Sequence, residues 1–334
     1  MSAAGGDLLG LIGEPVDRVR RLLDLAQRYE PIANDPSANT GELAGRMVGL
    51  LFFEDSTRTR MSFEAAAVRL GASVMIAGGS GTSISKGETI EDTARTVESL
   101  GMSALVIRGT PVGIAHMVAR VVGCPVINAG DGAHEHPTQA LLDAYAVAEA
   151  HGRLGHAGGG WWDLSGLTVA IVGDVAHSRV ARSNLACLTM LGAKVVCVGP
   201  PGLAPAGLCG LGEPGLVEVS RDLDDVLERA DAVMMLRMQF ERHGGAGEGS
   251  VLGSRRQYRE LFALTRERAG RMKDGAIVMH PGPMNRGLEI DGAVADGERS
   301  VILRQVALGV AVRMGALVEC LGEGGDARNG RAGA

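Results

Sequence analysis

Two hydroxyl residues are interleaved with two arginines in EDSTRTRMSF (54–63), directly after the apolar run MVGLLFF (47–53). Ser56, Thr57, Arg58 and Thr59 offer hydroxyls, a planar guanidinium fork and, where a helix starts, backbone N–H groups without partners; these are the parts of a phosphate cradle. Helix capping explains Ser56 or Thr57 taken singly, but not a pair of arginines beside a buried strand. A second stretch, GGSGTSISKGE (78–88), is too rich in glycine and hydroxyls for regular structure. It reads as a long functional loop that swings Lys86, with Thr82, Ser83 and Ser85, over a bound anion. Of the 33 basic residues only Lys86, Lys194 and Lys273 are lysines. In a chain so committed to arginine, each retained lysine marks a place that needs a compact ammonium.

Further candidates follow other apolar runs. Arg108 comes straight after ALVI (104–107), where it can complete the anion site. In HEHPTQALLDA (134–144), His136 precedes a proline suited to a helix start, and Gln139 lies three residues on along the same face. His134 and His136 are too close in sequence to fix a metal without carboxylate partners, so no metal is expected. The segment VAIVGDVAHSRVARS (169–183) reads as strand, glycine turn and helix. Its single glycine fails the G-x-G-x-x-G pattern, which argues against a dinucleotide, but it places Arg179 on the new helix. Arg237 and Gln239 in LRMQFER (236–242) occupy another strand end, and the prolines of HPGPMNRG (280–287) fix a turn suited to offering backbone groups to a ligand.

Elements must position these groups. An amphipathic helix is predicted over 14–30, then strands at 47–53, 74–77, 104–107 and 125–128, each followed by a helix-length segment. Periodicity lapses at 151–166, a glycine-rich linker, and a second series begins: strands at 168–173, 194–198, 231–236 and 276–279, closing with an apolar helix at 303–321. The expected fold is α/β, two parallel-sheet domains with a ligand cleft between them. With 334 residues and 46% apolar content the chain can bury two cores. A net charge of −6 argues against nucleic acid as a partner. No window approaches the ~18 apolar residues of a membrane span, and the N-terminus lacks a secretory signal. A soluble, cytoplasmic protein is therefore expected. Five scattered cysteines, with no C-x-x-C pair, suggest neither a disulfide framework nor a zinc site.

The motifs FFEDSTRTRMSFE, SISKGET, GDGAHEHPTQALLD, GDVAHSRVARS, LRMQFER and HPGPMNRGLEID stand in one order along the chain. In these the sequence resembles the aspartate carbamoyltransferase catalytic chains of the aspartate/ornithine carbamoyltransferase superfamily, over nearly its whole length. The resemblance implies carbamoyl transfer to L-aspartate, the committed step of pyrimidine biosynthesis, with no cofactor. It implies a carbamoyl-phosphate domain over 1–148, to which a C-terminal helix at 304–322 returns, an aspartate domain over 149–303, and a disordered tail at 323–334. Ser56, Thr57, Arg58 and Thr59 would bind the phosphate of carbamoyl phosphate. Thr59, Arg108, His136 and Gln139 would hold its carbamoyl group, with backbone contacts from Gly282 and Pro283. Lys86, Arg179, Arg237 and Gln239 would bind aspartate; Arg58, Thr59, Lys86, Arg108 and His136 form the implied catalytic set. Ser83 and Lys86 would reach into a neighbouring subunit's site, which implies a homotrimer, with regulatory chains or dihydroorotase as further partners. Glu54 would pair with Arg179 and Arg242 on closure.

Departures are few. The S-x-x-K spacing leaves Thr82 as an alternative to Ser83, Asp55 adds an unexplained negative charge beside the cradle, and 243–258 is looser than the rest. An ornithine carbamoyltransferase would need acidic or neutral groups for a cationic side chain and, by resemblance, a cysteine in the HPGP loop; the sequence has none there. A catalytically silent scaffold subunit is the alternative of another class, and the intact cradle argues against it.

Overall fold

A parallel strand followed by a helix is the repeating unit of the computed structural model, which describes residues 6–78, 87–155, 162–238 and 254–322. In chain order the elements begin with α1 (Val16–Asn34), β1 (Met47–Phe52), α2 (Thr57–Arg69), β2 (Ser73–Gly78), α3 (Ile90–Ser99), β3 (Ala104–Gly109), α4 (Ile114–Ala119), β4 (Val126–Asp131) and α5 (Pro137–Ala150). They continue with β5 (Thr168–Val172), α6 (Arg179–Met190), β6 (Lys194–Val198), β7 (Val217–Ser220), α7 (Leu223–Leu227), β8 (Ala232–Met235), α8 (Arg255–Phe262) and α9 (Arg266–Gly270). The last are β9 (Ile277–Met279), α10 (Gly292–Ala295) and α11 (Ile302–Leu321). Two compact units result. The first takes the chain up to Leu142 and again from Val306, and the second takes Asp143–Gln305.

In the first unit a parallel sheet runs in the order β2-β1-β3-β4. Its central strands are buried almost throughout, which is why they read as unbroken apolar runs rather than as alternation. α11 closes this unit against α1. Arg21 Nη2 meets Glu319 Oε1 at 2.8 Å, and at Gly315 a Cβ would stand 3.0 Å from Leu25 Cβ, so the bare backbone permits the close approach. α11 also seats α2: Arg313 Nη1 donates to Ser62 Oγ at 2.8 Å, and its guanidinium lies 5.2 Å over the Phe63 ring. α1 runs four residues past its expected end and carries Pro31 inside its last turn. Burial of Tyr29 and Ala33 outweighs the one backbone bond that the proline cannot make.

The second unit holds a parallel sheet in the order β7-β6-β5-β8-β9. Asp143 is buried at its edge and accepts bonds from Asn184 Nδ2 at 2.8 Å and Gln305 Nε2 at 2.7 Å. Two features differ from the sequence expectation. The supposed linker at 151–166 returns to the core by Trp162 and Leu164, at 1% and 0% exposure, with the Trp162 ring 5.2 Å from that of Tyr145. Strand β7 was not foreseen, because its four residues are only half-buried and a glutamate sits among them.

That glutamate has a structural task. Glu218 on the edge strand takes Arg229 Nη2 at 2.5 Å and Lys194 Nζ at 2.7 Å, tying β7 to β6 and to the chain beyond α7. The hydrogen bonds, Arg229's first, pull its carboxyl from an ordinary 4.5 down to about 2. A depressed carboxylate stabilises the fold above its ordinary pKa and loses that contribution as pH falls toward about 2. Glu218→Gln should therefore lower the unfolding free energy measured in urea at pH 7 by less than about 1 kcal/mol, since the pair is part-exposed. The deficit relative to wild type should shrink between pH 4.5 and pH 2.5; a deficit independent of pH would refute the ion-pair account.

Candidate active site

Parallel sheets place their chemistry at the carboxyl ends of the strands, and most readily where strand order reverses. In the first unit the reversal falls between β1 and β3, whose ends are in register through Phe52 and Arg108. The Phe53 N–H bonds the Arg108 carbonyl at 2.8 Å and carries the pairing one residue further. The chain then turns through Glu54, Asp55 and Ser56 into α2. Ser56 occupies the N-cap position, yet its side chain makes no capping bond. The capping role that the sequence allowed for it is thus not taken up, and among the described residues the hydroxyl and the first-turn N–H groups are left to an anion.

Arg58 sits on that first turn and is exposed by area. Surrounding protein still desolvates its guanidinium enough to lower its pKa from the ordinary value. Among the described residues it has no ion-pair or hydrogen-bond partner. A partly desolvated cation beside open N–H groups gains from a dianion on two counts. Thr59 is buried at 6% exposure. Arg108, at 8%, reaches from the end of β3 to Glu54 Oε1 at 3.3 Å and to the Ala129 carbonyl at 3.1 Å. Asp55 is exposed, and nothing in the structure explains its place beside the cradle.

The next strand end supplies His136 and Gln139, both buried, at 3% and 8%. α5 begins at Pro137, immediately after His136, as the proline predicted, and the Gln139 N–H bonds the His136 carbonyl at 3.0 Å. The loop before them is tightly held. Glu135 takes the Leu11 N–H at 2.7 Å, and Asp131 takes the Glu135 N–H at 2.9 Å. Gly132, at φ +50°, passes so close that a Cβ would lie 2.7 Å from the Thr110 carbonyl. Arg58, Thr59, Arg108, His136 and Gln139 thus follow three adjacent strands, β1, β3 and β4.

The second unit repeats the arrangement, with its reversal between β5 and β8. Arg179 is the first residue of α6, whose N-cap Ser178 accepts the Ala181 N–H at 3.2 Å. Arg237 follows β8 by two residues. The 280–283 turn follows β9 and contains a cis Gly282–Pro283 peptide. Sequence reasoning saw its prolines but missed what shapes it. His280 Nδ1 accepts the Gly282 N–H at 2.8 Å, and its Nε2 stands 3.4 Å from Glu289 Oε1, with both side chains at 0% exposure. Glu289 takes the Asn285 N–H, and Asn285 Nδ2 bonds the Met238 carbonyl at 3.1 Å, fastening the turn to the segment that bears Arg237. Thr82, Ser83, Lys86, Gln239 and Arg242 lie outside the described residues.

Fold and site define two parallel α/β units with cations and backbone donors gathered at the carboxyl ends of their strands. Residues 7–149 match the model of the aspartate/ornithine carbamoyltransferase carbamoyl-P binding domain, and 165–320 match that of the Asp/Orn binding domain. The chain is 53% identical over 313 residues to the aspartate carbamoyltransferase catalytic subunit of Myxococcus xanthus, covering 94% of this chain and 98% of the relative. To that of Gluconacetobacter diazotrophicus it is 49% identical over 319 residues, covering 96% and 94%. Aspartate transcarbamoylase from Trypanosoma cruzi, solved with carbamoyl phosphate, superposes with a TM-score of 0.83 at 30% identity, covering 96% and 97%. Ornithine carbamoyltransferase from Pyrococcus furiosus gives 0.82 at 26%, covering 97% and 99%. The chain belongs to the aspartate/ornithine carbamoyltransferase family.

Inorganic phosphate should accordingly raise the melting temperature of the full chain, by an amount equivalent to about 2.7 kcal/mol at a hundredfold excess over Kd. Arg58→Met should lose most of that rise while melting normally without phosphate. Equal stabilisation of both proteins would remove Arg58 from the anion site.

Proposed function

We propose that the chain transfers the carbamoyl group of carbamoyl phosphate to the α-amine of L-aspartate, yielding N-carbamoyl-L-aspartate and phosphate. The observation that carries this reading is the start of α2, where Ser56 makes no side-chain cap and Arg58, without an ion-pair or hydrogen-bond partner among the described residues, adjoins Arg108. Ser56, Thr57, Arg58 and Thr59 hold the phosphate. Thr59, Arg108 and His136 direct donors at the carbamoyl oxygen, Gln139 and the Gly282 and Pro283 backbone hold the carbamoyl side, and Arg179, Arg237, Gln239 and Lys86 take the two carboxylates.

The uncharged amine attacks the carbamoyl carbon and forms a C–N bond. Negative charge collects on the carbonyl oxygen of the tetrahedral intermediate, where fixed donors are worth most. Collapse breaks the bond to the phosphate oxygen. The leaving phosphate takes the amine proton, so His136 acts as a hydrogen-bond donor rather than as an obligatory base. No covalent enzyme intermediate is required, and orienting the two substrates can itself contribute ~7–11 kcal/mol. Aspartate rather than ornithine as acceptor is supported by the cations Arg179 and Arg237, by the absence of cysteine from 280–283, and by the names of the curated relatives at 46–53% identity.

The same reading makes the protein a cytoplasmic homotrimer in which Ser83 and Lys86 serve a neighbour's site, with a carbamoyl-phosphate domain at 1–148 and 304–322 and an aspartate domain at 149–303. That reading also includes association with regulatory chains or dihydroorotase.

Purified protein supplied with carbamoyl phosphate should make carbamoyl-aspartate from aspartate and no citrulline from ornithine; the reverse preference, or no product from either, overturns the assignment. Arg108→Ala should lower kcat about 10²–10³-fold. Inactive Arg58→Ala and Lys86→Ala chains, mixed and reassembled, should recover part of the activity through hybrid sites. Native mass measurement would confirm that hybrids formed, and silent hybrids would end the shared-site reading.

A further inference from the structure

The first unit contains a cluster of metal-type donors that the transfer reaction does not use. His116 lies on α4, Asp131 ends β4, and His134 follows three residues later. One donor atom from each stands within 4.8 Å of those of the other two. His134 Nδ1 is 3.0 Å from Asp131 Oδ2, and the His116 and His134 rings meet edge to face with centroids 5.9 Å apart. His134 was set aside at the level of sequence for want of a carboxylate partner, and Asp131 is that partner.

Asp131 is fully buried. Its Oδ1 accepts Asn128 Nδ2 and the Glu135 N–H, each at 2.9 Å. Its Oδ2 accepts the Gly113 N–H at 2.8 Å. Outer bonds of this kind orient metal-ligating carboxylates. A hydrogen-bond network alone accounts for Asp131 and His134, but not for His116. The His116 Nδ1 atom is buried and meets no hydrogen-bond partner among the described residues, and one nitrogen of the same ring faces the other two donors. Leaving such a group unsatisfied costs about 1–3 kcal/mol, so nothing in the hydrogen-bond network explains why this ring is held beside two other metal-type donors.

We propose that His116, Asp131 and His134 bind one divalent transition-metal ion, zinc by preference. Two imidazoles and one carboxylate suit zinc, whereas magnesium and calcium favour all-oxygen sets. Donors around tetrahedral zinc lie about 3.3 Å apart. The His134–Asp131 pair already has nearly that spacing, and a shift of at most about 1.5 Å by a half-buried imidazole brings in the third. Both histidines are only partly buried, which leaves a path for the ion and a fourth position for water. The imidazoles coordinate in their neutral form, so the ring proton that faces Asp131 moves to the other nitrogen or to solvent. The ion would pin α4 to the loop that ends in His136, a clamp on the site rather than a participant in the reaction.

The test uses untagged full-length protein stripped with chelator and titrated with zinc against a chromophoric competitor. Wild type should hold one ion per chain, and zinc should raise its melting temperature. His116→Gln and His134→Gln should each weaken binding at least tenfold and lose the thermal rise, while carbamoyl transfer measured without metal stays within twofold, since neither residue touches substrate. Circular dichroism verifies that both variants fold; a variant that does not is replaced by His116→Asn or His134→Asn. Zinc held no more tightly by wild type than by the double variant, or at well below one ion per chain, would mean adventitious binding only and overturn the proposal.

Discussion

A helix that begins directly after a buried parallel strand cannot satisfy its own first N–H groups, and this geometric debt of the backbone organises both units. Where a serine, threonine or aspartate side chain folds back to cap them, the matter ends there. Ser178 does so for α6, Thr89 for α3 and Ser254 for α8. Ser56 does not, although it has the right residue type at the right position. An uncapped start and a desolvated arginine on the first turn, beside a second arginine that Glu54 meets through one oxygen, form a locally positive corner that favours an anion.

Such an excess is tolerable only if its surroundings are rigid. α2 is gripped from behind by Arg313, which reaches Ser62 and Phe63 one turn beyond the cradle. The β4 loop is held by Glu135 and Asp131, both essentially inaccessible to solvent. In the second unit His280 and Glu289 do comparable work under the Gly282–Pro283 turn. Arg313 holds side chains of α2, whereas Glu135, Asp131, His280 and Glu289 are buried polar groups whose bonds are directed at backbone N–H groups. They fix the chain's path where a packed apolar side chain would only fill volume.

Much of this was legible in sequence because two signals coincide. Strands buried on both faces give continuous apolar runs, and the polar residues that follow each run must lie at its carboxyl end; that places Arg58, Arg108 and Arg237 at strand ends, while proline and glycine-turn signals place His136 and Arg179 at helix starts. The signal fails where burial is partial. β7 mixes Glu218 among valines on a half-solvated edge, and Trp162 sits in a glycine-rich stretch whose composition resembles a linker. It fails again where a role depends on a partner far along the chain. Glu289 and His280 meet across nine residues with a turn between them, and His116 joins Asp131 from another element altogether. Ser56 shows the opposite limit, since its type predicts a cap and only geometry reveals that the cap is not made.

The distribution of lysine makes the same physical point. Lys194 and Lys273 each end against a single carboxylate, Glu218 and Asp231, at sites where a point charge on a flexible stem is sufficient. The arginines at Arg229, Arg268 and Arg304 instead make forked contacts with both oxygens of a carboxylate. The chain thus separates the two cations by geometry: planar forks where two acceptors must be met at fixed angles, ammoniums where one acceptor is approached. In the proposed reaction Arg58 and Arg108, at the β1 and β3 ends, would act as forks of the first kind, facing the several oxygens of a phosphoryl and carbamoyl donor. Lys86 would belong to the second, a single mobile charge suited to meeting an oxygen that moves as the donor bond breaks.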